Sequence, residues 1–133
     1  MNCVVKSVQT LFPDNDYNQF QDNETGYTMG DIQRMLPEEY TIYPVLVGYK
    51  HLTWHDLNRC SVLPQNNALV PLFMFSHSHC SLVYFNPYEA IIYDTENNTQ
   101  MAAKTYFESH LIYEIATVIR FSDKSQLLIK KQD

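Results

Sequence analysis

Cys3 stands at the head of a run, Val4, Val5, Val8, Leu11 and Phe12, whose apolar spacing is that of one face of a helix, with Asn2 suited to cap it. A thiol in that first turn meets unpaired amide N–H groups and the positive end of the helix dipole, both of which stabilise a thiolate. Nucleophilic catalysis further requires a base within hydrogen-bond reach and a third group to orient it. His77 and His79 lead into an expected strand, His79 to Phe85, and Asp94 ends the next, Ala90 to Tyr93. The intervening Asn86-Pro87-Tyr88-Glu89 has turn chemistry of hairpin length, so the two strands should be antiparallel neighbours. Pairing about that turn sets position 79 opposite about position 96. A bulge or small shift then brings His79 and Asp94 to one face, as an imidazole and its orienting carboxylate require.

Each of these residues also has a plainer reading. A small thiol in a helix is commonly core packing, a strand-end histidine is commonly at the surface, and an aspartate in Asp-Thr-Glu-Asn-Asn commonly bonds its own turn. His51, His55, His77, His79 and Cys80 are acceptable zinc ligands, but their spacing on strands and helices points them apart, so neither a metal nor a cofactor is expected. Cys60 reads as structural. Cys80, facing away from His79, reads as a core residue and the second choice of nucleophile.

The elements that must carry these groups follow from local pattern. After the first helix, Pro13 opens a polar, turn-rich loop to Tyr27, in which Tyr17, Phe20 and Tyr27 either pin the loop to the body or form a protein-binding patch. Thr28 with Asp31 resembles a capping box for a second helix closed by Pro37, and Thr53 with Asp56 repeats the pattern for a short helix to about Arg59. The β-branched and aromatic stretch from Tyr40 to Val47 predicts a strand, with Pro44 marking an edge or a bulge. Ala68 to Ser76 predicts another strand, Thr99 to His110 a helix on propensity, Leu111 to Phe121 a long strand, and Gln126 to Lys130 a short one. Helices at the front and clustered strands behind make an α+β fold, with N-terminal helices packed on an antiparallel sheet.

A cysteine opening a helix (NCVVKSVQTL), a second capped helix (TMGDIQRML), a buried strand, then HCSLVYF and AIIYDT on successive strands resembles the papain-like cysteine hydrolases. The similarity is closest to small, divergent bacterial and viral branches that act as proteases or glutamine deamidases. It covers about residues 2 to 95 and rests on order and spacing rather than on one specific motif. The resemblance implies a papain-like domain over residues 1–133, with Cys3 as nucleophile, His79 as general base and acid, and Asp94 as the orienting carboxylate. The reaction it implies is thiolate attack on an amide carbonyl of a protein substrate, then hydrolysis of a thioester. Such enzymes usually carry an oxyanion donor several residues ahead of the cysteine. Only Met1 and Asn2 precede Cys3 here, so the donor falls to Asn2, the Cys3 amide or Gln65, with His77 as a further binding residue.

Composition bounds the rest. In 133 residues, 45% hydrophobic and 18% charged, there is material for one core, and disorder or coiled coil is excluded. Nine Lys and Arg against 15 Asp and Glu give a net charge of −6 with no basic patch, which argues against nucleic acid. No apolar run approaches the roughly 20 residues of a membrane span, and no signal peptide is visible. Three cysteines cannot all pair within the chain, which favours a reducing, cytoplasmic setting, in the protein's own cell or in a host. A reading of another class remains beside the enzyme: an acidic inhibitor or adaptor that binds a protein without turnover. Oligomeric state is not legible.

Overall fold

The structure, a computed structural model, describes residues 3–20, 28–48, 50–60, 62–64, 69–122 and 127–129. Its centre is a six-stranded antiparallel sheet of β1 (Tyr40–Val47), β3 (Val70–Phe75), β4 (Cys80–Asn86), β5 (Ile91–Asp94), β6 (Thr99–Ala102) and β7 (Glu114–Arg120), in the order β1-β7-β3-β4-β5-β6. β2 (Val62–Pro64) and β8 (Leu127–Ile129) form a separate antiparallel pair. Among the described residues there are four α-helices: α1 (Cys3–Leu11), α2 (Met29–Met35), α3 (Trp54–Asn58) and α4 (Ala103–Ser109). The fold is α+β, as composition and pattern suggest. No helix among the described residues is long and apolar enough to cross a membrane.

Strand alternation divides the core between the two faces of the sheet. Val4, Val5 and Val8 of α1 and Ile32 and Met35 of α2 pack on Phe73, Cys80, Leu82, Ala116 and Val118. On the other face Leu57 of α3 and Tyr106 and Phe107 of α4 pack on Leu72, Met74, Val83, Phe85, Ile92 and Ile115. Each large apolar side chain fully removed from water on either face is worth roughly 1.5–3 kcal/mol. β7 and β3, flanked on both sides by other strands, carry the apolar sequences EIATVIR and VPLFMF.

Local chemistry explains most boundaries. At α2 the Thr28 N–H donates to Asp31 Oδ2 at 2.9 Å and the Asp31 N–H donates to Thr28 Oγ1 at 3.2 Å, a reciprocal cap. Before α3 the Thr53 N–H donates to Asp56 Oδ2 at 2.7 Å. β1 is the sheet edge and its register to β7 shifts between Pro44 and Leu46, so Pro44 marks both an edge and a bulge. Tyr17 is buried and its hydroxyl donates to the Phe12 carbonyl, pinning the loop after α1, and Phe20 packs against the same core. Tyr27 lies outside the described residues.

One expectation is corrected. The helix expected from Thr99 begins only at Ala103, and Thr99–Ala102 is β6, paired residue for residue with β5. The turn decides this: Asp94 opposes Thr99 across four residues, with Asn98 in the left-handed region at φ 50°, a conformation asparagine tolerates. Ladder hydrogen bonds to β5 then outweigh the weak helical preference of Thr-Gln-Met-Ala.

Candidate active site

Cys3 opens α1, which lies across β4, and its sulfur accepts a hydrogen bond from the Cys80 amide at 3.2 Å. That contact sets the thiol against the peptide linking His79 to Cys80, across 77 residues of sequence. His79 lies just before β4, in a turn tied by the Ser76 N–H donating to the His79 carbonyl at 2.8 Å. Its Nε2 lies 2.8 Å from Glu96 Oε1, and both side chains remain partly exposed. Held there, Nε2 carries the proton toward the carboxylate, which leaves Nδ1 as the ring's basic nitrogen.

Cys3 and Glu96 share one groove of about 130 Å³, whose walls include Lys6, Ser7 and Thr10 of α1 and Thr95. Glu96 is positioned by the turn that carries it. Asp94 Oδ1 accepts from the Glu96 N–H at 2.9 Å, Asp94 Oδ2 accepts from Asn97 Nδ2 at 2.9 Å, and Thr95 Oγ1 donates to the Leu82 carbonyl at 2.6 Å.

The structure therefore brings Cys3, the His79 segment and Glu96 together, and it does not bring Asp94 to them. The loop between β4 and β5 is four residues long, with Asn86 opposite Ile91 and Ala90 left-handed at φ 55°, so Asp94 falls opposite Val83. Cross-strand partners share a face, and Val83 belongs to the core beneath α3 and α4, the far side of the sheet from Cys3. Asp94 is 5% exposed; on that side burial, first, and then the Asp94 charge hold the Tyr106 hydroxyl protonated to higher pH than an ordinary tyrosine. The contact of Asp94 with the site residues is through the Glu96 backbone N–H.

The remaining candidates fall as follows. The His77 ring packs on Tyr113 at 4.4 Å between centroids, beside the turn that carries His79. Asn2 and Gln65 lie outside the described residues. Cys80 is 1% exposed, and burial pushes its thiol up to about 12, which removes it as a nucleophile at neutral pH. Cys60 is buried. Among the described residues no three His, Cys, Asp or Glu side chains converge as metal ligands.

A larger cavity of about 270 Å³ lies on the opposite face, between α3 and α4, with Trp54 and Phe107 in its walls. No cysteine lines it, and its His51 is engaged through Nε2 with the carbonyls of Phe107 and His110 at 3.2 and 3.1 Å. Cys3, the candidate nucleophile, lines the smaller groove.

No protein-family model matches the sequence, and no curated protein or solved structure matches it either.

Proposed function

We propose that this protein is a papain-like, cysteine-dependent amide hydrolase acting on a protein substrate, as a peptidase or glutamine deamidase. Cys3 is the nucleophile, His79 the base, and Glu96 takes the orienting role for which the sequence suggested Asp94. The observation that carries this reading is the pairing of His79 Nε2 with Glu96 at 2.8 Å, on a turn whose next amide contacts the Cys3 sulfur.

In this reading Nδ1 of His79 accepts the Cys3 thiol proton as sulfur attacks the amide carbon. The C–N bond then breaks, the imidazolium protonates the departing amine or ammonia, and a thioester remains. Water, giving its proton to the same nitrogen, releases the acid and restores the thiol. Glu96 holds the ring tautomer and balances the imidazolium charge. The Cys3 amide serves in this reading as a donor to the developing oxyanion, such a donor being worth roughly 3–4 kcal/mol.

The test is iodoacetamide labelling at neutral pH, resolved by cysteine. Cys3 should be modified in the native protein while Cys60 and Cys80 are not, and His79→Ala should slow Cys3 by about 100-fold, the low end of general-base contributions. An unchanged Cys3 rate in His79→Ala overturns the enzyme reading in favour of an acidic binding module.

A further inference from the structure

We infer that Lys6 is a specificity-determining residue that selects amides flanked by an acidic side chain, an inference that rests on the proposed use of Cys3. Lys6 lies three residues after Cys3, on the same face of α1, and lines the same groove. A helical rise of about 1.5 Å per residue sets its backbone about 4.5 Å along the axis from Cys3, and its side chain lines the groove that the sulfur lines.

The other polar groups of the groove are already engaged. Ser7 Oγ donates to the Cys3 carbonyl at 2.8 Å, Thr10 Oγ1 donates to the Lys6 carbonyl at 2.8 Å, and Glu96 is taken by His79. Lys6 has no carboxylate within ion-pair distance among the described residues, whereas Arg34 pairs with Asp31 and Lys104 with Glu108. A cation lining the Cys3 groove in a protein of net charge −6 complements a carboxylate on the substrate.

Iodoacetate and iodoacetamide test this without a known substrate. Both form the same S–C bond at Cys3 and expel iodide, and they differ in carrying a carboxylate or a neutral amide. The ratio of their rates at Cys3 should fall roughly three- to fivefold in Lys6→Gln, the scale of an exposed ion pair. It should fall further in Lys6→Glu and persist in Lys6→Arg. Lys104→Gln, with the same charge change on the opposite face, should leave it unchanged.

An equal ratio in wild type and Lys6→Gln overturns the assignment. So does a fall in the iodoacetamide rate itself, which would make Lys6 a modulator of the thiol. Failure of the hydrolase reading is separately visible, because His79→Ala is read from iodoacetamide alone. Two peptides then distinguish the carboxylate's source: one has an internal glutamate beside glutamine and an amidated end, the other a neutral sequence and a free C-terminus. Stronger protection of Cys3 by the first, lost in Lys6→Gln, is expected. Equal protection, protection only by the second, or none by either overturns the substrate class.

Discussion

Asp94 and Glu96 are two positions apart and do different work, because one ends a strand and the other stands in the turn beyond it. Asp94 spends both carboxylate oxygens on the turn, while Glu96 presents its own to His79. Substituting each by its amide separates the roles. Glu96→Gln should slow Cys3 alkylation about tenfold through loss of the charge facing the imidazole, a modest share of general-base catalysis. Asp94→Asn keeps an oxygen for the backbone amides and should stay within about twofold, with a small loss of stability. Peptide-resolved alkylation of both variants checks this, and the reverse order would return the orienting role to Asp94. That Cys3 and the segment carrying His79 lie together was legible from residue type and position. The place of Glu96 was not, because it lies in the turn beyond β5 and the observed register, with Val83 opposite Asp94, differs from the one the turn residues suggest.

At the scale of elements, two left-handed residues set the registers on which the groove depends. Ala90 closes the β4–β5 hairpin at φ 55° and Asn98 closes β5–β6 at φ 50°. Alanine lacks the side-chain compensation available to asparagine, so Ala90→Gly should stabilise the protein by up to about 1 kcal/mol. Asn98→Val should destabilise it by about 1–2 kcal/mol and slow Cys3 alkylation, because the strained turn carries Glu96. Urea midpoints and labelling rates measured on the same two variants test both statements. Capping residues and β-branched runs made most helices and strands readable. Turn length was not, since Asn86-Pro87-Tyr88-Glu89 suits a short hairpin, whereas the pairing resumes only at Ile91. β6 was hidden for a related reason: pairing with β5 is a tertiary gain that helix propensity does not register.

For the whole molecule, burial of protonated groups predicts how stability varies with pH. Cys80 titrates near 12 in the fold against a usual thiol value of 9.0, and desolvation also raises Tyr17, Tyr84 and Tyr106. From about pH 9 the unfolded chain loses protons that the folded chain retains, so stability falls as pH rises and stops falling only above the folded values. Each group fully inside its window contributes a slope of up to about 1.4 kcal/mol per pH unit. Urea midpoints should therefore drop between pH 8 and pH 10.5, and Cys80→Ala should flatten the first part of that decline, before tyrosines contribute. An unchanged midpoint would mean that these groups are not buried as described. The α+β class was legible from the order of elements. The distribution of helices over both faces was not, because it depends on which strands meet. The order β1-β7-β3 bears on synthesis as well. Tyr40 waits for Arg120 to reach its place in the sheet, so β1 has no neighbour in the sheet until β7, which separates it from β3, has left the ribosome. Cys3 is synthesised ahead of every strand of the sheet, yet the sheet behind it cannot close until Glu114–Arg120 has emerged.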